Sequence, residues 1–282
     1  MIKRLNVRRS TRSNLLFALV GLLLTLMIIM PVYILIISSF KPLKEIYIHV
    51  LGWPAAEVFT LENYPAAMEG LEFEVTFFNS VLISAGTALL IVLCNAMTAW
   101  VLVRYKSRAS RIMFFLFALS MLVPFQCIML PLTRQLTALN LNNRLGLILA
   151  YLGLNSSMSI VLYHGFIKGI PLDIEESAII DGANMVQLFC SIIFPLLRTM
   201  SITVGILSIL NTWNDFLLPS LLVNRTGMRT LPLKTFLFVS QFVKRWDLAT
   251  AGLVLGMVPI LVFYLFCQKY IIKGVTEGAL KG

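Results

Sequence analysis

Residues 164–195 read HGFIKGIPLDIEESAIIDGANMVQLFCSIIFP, and this stretch decides the architecture on either side of it. Pro171 can open a helix at its first position, where the missing N–H costs nothing. Asp173, Glu175 and Glu176 then fall in the early turns, where the positive end of the helix dipole favours carboxylates. Leu172, Ile174, Ala178 and Ile179 supply an apolar stripe. Gly182 stands where that helix should stop, suited to the left-handed residue of a C-terminal cap. Asn184 and Gln187 have the spacing of a capping box that starts a second helix, and Pro195 marks the entry to the next apolar run. The expectation is a helix, a glycine turn and a second helix, exposing acids and apolar residues together. Such a surface requires a protein partner.

Outward from this element the chain is dominated by apolar runs. A bilayer-spanning helix needs about 20 mostly apolar residues, and six stretches qualify: 14–38, 80–103, 112–132, 145–163, 197–222 and 250–272. Hydrophobic residues make up 59% of the 282 positions and charged residues 13%, with a mean hydropathy of +0.88. Ordinary soluble domains hold about 45–50% apolar and about 25% charged residues, so the surplus apolar surface must face lipid. The expected fold class is all-α membrane, with six transmembrane helices and a helix pair (164–196) between spans four and five. Residues 1–13 form a cytoplasmic N-terminus, 14–272 the six-span domain and 273–282 a cytoplasmic tail. The first run follows Lys3, Arg4, Arg8, Arg9 and Arg12 but outruns a signal-peptide core of about 7–15 residues, so it reads as an uncleaved anchor.

Charge sets the orientation. The basic N-terminus and the cluster Arg104, Lys106, Arg108 and Arg111 belong in the cytoplasm by the positive-inside rule, and six spans return the C-terminus there. Segment 39–79, with Glu45, Glu57, Glu62, Glu69, Glu72 and Glu74, lies outside. Loop 223–249 is the misfit: it is placed outside yet carries Arg225, Arg229, Lys234, Lys244 and Arg245 against Asp247 alone. It is either a solvated basic loop or a docking surface for an extracytoplasmic partner. The net charge of +10 does not indicate nucleic acid, because the basic residues sit in short clusters beside apolar runs rather than along a soluble stripe.

Few residues suggest chemistry. Asn211, Asn214 and Asp215 lie at helical spacing in the outer half of span five, and Gln126 lies between Pro124 and Pro131 of span three, which those prolines should kink. A mid-bilayer aspartate must face protein or water, so these residues either bind neighbouring helices together or line a translocation path. Trp53 and Trp246 near outer boundaries and Trp100 near an inner one read as interfacial anchors. Cys94, Cys127, Cys190 and Cys267 show no C-x-x-C spacing, and His49 and His164 are the only histidines. Neither a disulfide framework, a metal site nor a catalytic cluster is indicated, and no G-x-x-x-x-G-K-[ST] occurs to cradle a nucleotide phosphate.

Segment 164–196 resembles the EAA loop of ABC importer permeases: E-A-A, a glycine after three more residues, nine variable residues, then I-x-L-P. The chain gives Glu176-Ser177-Ala178, Gly182 and Ile192-Ile193-Phe194-Pro195 in register, with Ser177 and Phe194 as the departures. FTLENY at 59–64, FFNS at 77–80, Arg104, MLVPFQCIMLP at 121–131, WNDF at 213–216 and the terminal EGALKG resemble the carbohydrate class, most of all its maltose-type second permease. The resemblance implies a permease in a bacterial plasma membrane, moving a sugar or oligosaccharide inward. It implies a heterodimer with a homologous second permease, two copies of a cytoplasmic ATPase and an extracytoplasmic sugar-binding protein. ATP hydrolysis would belong to the ATPase, so the chain is expected to be no enzyme and to hold no cofactor. Glu176, Ser177, Ala178, Asp181, Gly182 and Ala183 carry the coupling role by this resemblance, and Gly278 and Lys281 a tail contact with the ATPase. Arg225, Arg229, Lys244 and Arg245 are the candidate contacts for the binding protein. The runner-up, a half-size ion-coupled carrier, should carry paired intramembrane acids or related halves, and only Asp215 is clearly near membrane depth.

Overall fold

A computed structural model describes residues 11–241 and 244–279. In chain order the helices are α1 (Thr11–Ser39), α2 (Leu43–Ile48), α3 (Asn63–Leu71), α4 (Phe73–Arg104), α5 (Arg108–Ser120), α6 (Phe125–Ala138), α7 (Arg144–Lys168), α8 (Asp173–Ile180) and α9 (Met185–Gln187). A π-helical stretch, Leu188–Ile193, leads into α10 (Phe194–Leu196), α11 (Arg198–Asn214), α12 (Leu217–Leu222), α13 (Leu231–Gln241) and α14 (Trp246–Ala279).

Stretches of α1, α4, α7 and α14 are each long and apolar enough to cross a bilayer. Two further segments pass only as bent pairs, α5 with α6 at 108° and Met185–Leu196 with α11 at 77°. The bend of the first pair interrupts the run 112–132, expected as a single helix, and the run 197–222, expected likewise, is interrupted separately between α11 and α12. In the first, the break lies at 121–124: Leu122 and Val123 donate backward to Leu119 and Ser120, and Pro124 caps α6. Pro124 lacks an N–H and drives the residue before it out of the helical region. Pro131 lies inside α6. In the second, α11 ends at Asn214 and Asp215 is extended (φ −80°, ψ 132°), so Asp215 does not continue the helical spacing of Asn211 and Asn214.

The described chain forms two compact units. The first comprises 11–70 and 238–255. Within it Asn63 donates to the carbonyls of Ser39 and Lys41, and Phe40 stacks on Phe59 with ring centroids 5.2 Å apart. Lys41 is buried with its Nζ 2.5 Å from the His49 carbonyl; burial lowers its pKa, and nearby Glu45 opposes that shift.

The second unit comprises 71–237 and 256–279, and its core is α4 against α7 and α11. Small and polar residues line this packing. Thr76, Asn79, Ser80, Ser84, Thr87 and Asn95 are buried on α4, and Ser156, Ser157 and Ser159 on α7. Lipid supplies no hydrophobic drive for helix association, so close backbone approach and interhelical hydrogen bonds take that role. Ser156 Oγ donates to Asn95 Oδ1 (3.1 Å), Tyr163 Oη to Ser201 Oγ (3.0 Å), and Ser120 pairs with Ser157. Large apolar side chains such as Leu89, Phe115, Leu116 and Phe266 are exposed.

Loop 223–231 is held rather than loosely solvated. Asn79 Nδ2 donates to the carbonyls of Gly227 and Arg229, Arg144 Nη2 to Gly227 (2.7 Å), and Ser80 Oγ accepts from the Leu231 N–H. Gly227, at φ +79°, makes the turn that presents these carbonyls.

Candidate functional site

Two constellations stand out: the helix pair at 173–196 and a polar cavity among the apolar helices. In the helix pair, α8 begins at Asp173, two residues after Pro171, with Leu172 at its N-cap. Its C-terminus is a Schellman motif: Ala183 N donates to Ala178 O and Gly182 N to Ile179 O, with Gly182 at φ +88°. The capping box follows reciprocally, Asn184 N to Gln187 Oε1 and Gln187 N to Asn184 Oδ1, each 2.9 Å. Pro195 cannot donate an N–H, and a proline ring crowds the carbonyl four residues back; the π-helical stretch at 188–193 lies directly before it.

The pair is anchored through a residue that motif spacing passed over. Glu175 is buried, and its carboxylate accepts from Arg104 Nε (2.7 Å) and Nη2 (2.6 Å) and from Trp100 Nε1 (3.0 Å). Arg104 Nη2 also donates to the Ile170 carbonyl. The cation sits at the C-terminus of α4 and the anion in the first turn of α8, so each matches its own helix dipole. Trp100 is not an interfacial anchor: it is buried, with its ring 5.5 Å from Phe189. The sequence signal available was four residues' spacing, since Trp100 and Arg104 share one helical face.

The motif residues divide between two faces. Glu176, Ser177, Asp181 and Gly182 are exposed and Ala183 is half-buried, whereas Ala178 is buried in the unit's own core. Ala178, expected on the exposed stripe, faces inward because its neighbours Leu188, Phe189 and Ile193 close over it as one cluster. The outward apolar residues are Ile174, Ile179, Ile180, Met185 and Val186, with Ile180 84% exposed.

The cavity has a volume of about 560 Å³ and gathers all four residues singled out for a path: Gln126, Asn211, Asn214 and Asp215. Tyr151, Asn155, Ser120 and Ser157 share its wall. Asp215 is oriented by Tyr151 Oη (2.9 Å) and the Leu217 N–H (2.8 Å), which fixes the carboxylate across the α11–α12 break. Asn211 Nδ2 donates to Asn155 Oδ1 (2.7 Å) and Asn214 Nδ2 to its own helix at Leu210 O (2.8 Å). Asn155 Nδ2 and Ser208 Oγ have no protein partner among the described residues. A second cavity of about 390 Å³ shares Met121, Leu154, Asn155, Ser157 and Asn211 and adds Ser208. Asn211 and Asp215 thus tie α11 and its end to α7, while Gln126 and Asn214 line the hollow without a hydrogen bond to another helix among the described residues.

The basic residues of 223–249 differ in availability. Arg225 and Lys244 are exposed. Arg229 Nε is held by Asn224 Oδ1 (3.0 Å), and Lys234 Nζ pairs with Glu72 (2.6 Å). Arg245 is not free, because its guanidinium grips buried Asp247 through Nε and Nη2, and that hydrogen bonding raises its pKa. Gly278 falls on the last turn of α14, and Lys281 lies outside the described residues.

The family described as "Binding-protein-dependent transport system inner membrane component" matches residues 91–277. The "Probable starch degradation products transport system permease protein" of Thermoanaerobacterium thermosulfurigenes is 38% identical over 275 residues, 98% of this chain and 100% of its own length. A multiple sugar-binding transport system permease protein of Streptococcus mutans is 36% identical over 91% of this chain and 93% of its own. A chain of a bacterial ABC transporter involved in the import of the acidic polysaccharide alginate superposes with a TM-score of 0.76 at 19% identity. That likeness covers 93% of this chain and 99% of the other, and it is one of fold.

Proposed function

Because the chain belongs to the family of binding-protein-dependent transport system inner membrane components, we propose that its polar cavity is part of the passage by which a sugar or oligosaccharide enters the cell. The chain is a multi-pass permease subunit of an ABC importer. The carbohydrate assignment draws on relatives named for starch degradation products, multiple sugars, and melibiose, raffinose and stachyose. One observation carries the reading of the site: Gln126, Asn211, Asn214 and Asp215 converge on one cavity in a chain whose residues are 59% hydrophobic. Hydroxyl-rich cargo needs donors and acceptors of this kind, few in number and oriented by their neighbours.

The test is chemical modification. In a background lacking Cys94, Cys127, Cys190 and Cys267, which are all free thiols, Asn214→Cys should react with a small water-soluble methanethiosulfonate. Modified complexes should lose at least tenfold in uptake, and bound cargo should slow the reaction. A thiol at Asn214 that never reacts would show the cavity to be closed to water and would end this reading.

Membership of the family supports the following working assembly. The chain pairs with a homologous second permease, rests on two copies of an ATPase subunit that performs all ATP chemistry, and receives cargo from an extracytoplasmic sugar-binding protein. Both termini are cytoplasmic, and the helix pair at 173–196 meets the ATPase through Glu176, Asp181, Gly182 and the apolar residues around them. Ser177 and Ala183 border that face, and Ala178 supports it from beneath. The tail, with Gly278 and Lys281, makes a further ATPase contact. Segment 223–249 meets the binding protein, with Arg225 and Lys244 as its available charges. Orientation and docking are tested together: cysteines replacing Glu69 and Arg225, both exposed, should be labelled from outside in intact cells. Excess binding protein should slow labelling at Arg225 severalfold and leave Glu69 unchanged. Labelling of either only after permeabilisation would reverse the topology.

A further inference from the structure

A cavity of about 430 Å³ lies where the end of α4, the start of α5 and the end of α7 meet. Lys106, Arg111 and Lys168 line it together with His164, and no carboxylate does. None of these three cations is within ion-pair distance of an acid among the described residues. The start of α5 adds the positive end of a 13-residue helix, capped by Ser107. One wall is apolar: Phe114 stacks on His164 with centroids 3.8 Å apart, and Tyr105 stands 71% exposed beside it. Three unpaired cations around one hollow repel each other, and an anion removes that cost. The apolar wall adds a preference for an anion that carries hydrocarbon, and the cavity sits at the ends of helices that cross the bilayer.

We propose that this pocket is a binding site for the phosphate of an anionic phospholipid, held by Lys106, Arg111 and Lys168 with its acyl stem against Tyr105 and Phe114. Basic pockets between transmembrane helices suit such headgroups, and each basic residue near the surface contributes about fivefold in affinity. The site is separate from the polar cavity and stands whether or not that cavity passes sugar. It sets a lipid headgroup against the ends of α4 and α7, the pair whose packing forms the core of the unit, where they meet the start of α5.

The assembled importer, purified in detergent, should retain added dioleoyl phosphatidylglycerol in native mass spectrometry and retain dioleoyl phosphatidylcholine poorly. Lys106→Gln with Lys168→Gln should lower phosphatidylglycerol retention by roughly 30-fold. Lys106→Arg with Lys168→Arg should keep it. Removing two exposed charges elsewhere, Lys44→Gln with Arg134→Gln, should change nothing. Should the glutamine pair fail to assemble, Arg111→Gln on the rim carries the same test with a loss of about fivefold. Equal retention by the glutamine variants overturns the site. Displacement of the lipid by millimolar inorganic phosphate assigns the pocket to free phosphate and overturns the lipid. Loss of the ATPase with phosphatidylglycerol retention unchanged makes the pocket a protein contact and overturns it equally.

Discussion

Glu175→Ala should lower sugar uptake at least tenfold while leaving the protein inserted in the membrane. The substitution removes the acceptor of Arg104 and of Trp100 Nε1 together. Deleting one partner of a buried ion pair costs roughly 3–5 kcal/mol, and the lower end applies here, because Arg104 is partly exposed and keeps the Ile170 carbonyl. The lower figure alone shifts an equilibrium between docked and undocked helix pair by roughly 150-fold. Motion of the pair would then no longer be passed to the end of α4. Glu175→Gln keeps the shape and an acceptor for the indole but loses the charge, and should fall between parent and Glu175→Ala. Arg104→Lys keeps the charge but not the two-pronged grip, and should resemble Glu175→Gln. The measurements are uptake in reconstituted vesicles and cargo-stimulated ATP hydrolysis. In the double variant, Arg104→Ala with Glu175→Ala, the losses should be less than additive, since both act on one contact. Normal uptake by Glu175→Ala would show that the anchor plays no part in coupling.

Gly182→Val and Glu176→Lys should each weaken ATPase co-purification about tenfold. At φ +88° a β-branched residue is strained by roughly 1–2 kcal/mol. An added Cβ meets nothing within 4 Å, so the strain is in the backbone and not in packing. The Schellman hydrogen bonds from Gly182 and Ala183 would yield, and the second helix would leave at a different angle. Gly182→Asn is the control, because asparagine tolerates the left-handed region and should remain coupled. Glu176→Lys acts differently: it reverses a charge on the exposed face among Ile179 and Ile180 while touching nothing inside. Both variants lie outside the long apolar helices and should express as the parent does. If both co-purify with the ATPase and hydrolyse ATP on demand, segment 173–196 is not the contact that transmits the stroke.

Much of this architecture was legible without coordinates, and the reason is local. Gly182 and the Asn184–Gln187 box announce themselves because caps depend on residues within one turn of each other. The long apolar runs of α4 and α7 announce themselves because a bilayer imposes a length and a polarity that any window can measure. The breaks at 121–124 and at Asp215 were less legible. Pro124 is a local signal, but whether a proline bends a helix or ends it depends on what can satisfy the carbonyls it frees. Asp215 leaves the helix because its carboxylate is met by Tyr151, sixty-four residues earlier, and by the Leu217 N–H.

The sequence by itself determined the helix–glycine–helix element, the membrane class and the polar residues worth watching. Each of these rests on composition or on spacing within a few residues. Only the tertiary structure decided which acid anchors and which is offered outward. Glu175 and Glu176 are chemically near-equivalent neighbours about 100° apart around α8, and nothing local ranks them. Packing of α8 against the end of α4 turned Glu175 toward Arg104 and Trp100, and left Glu176 in the open. The π-helical stretch packed on α8 buried Ala178, and the meeting of α6, α7, α11 and α12 gathered Gln126, Asn211, Asn214 and Asp215 around one cavity. Long-range contacts choose a helix's inward face, because burying a charge beside its partner and burying it alone differ by several kcal/mol.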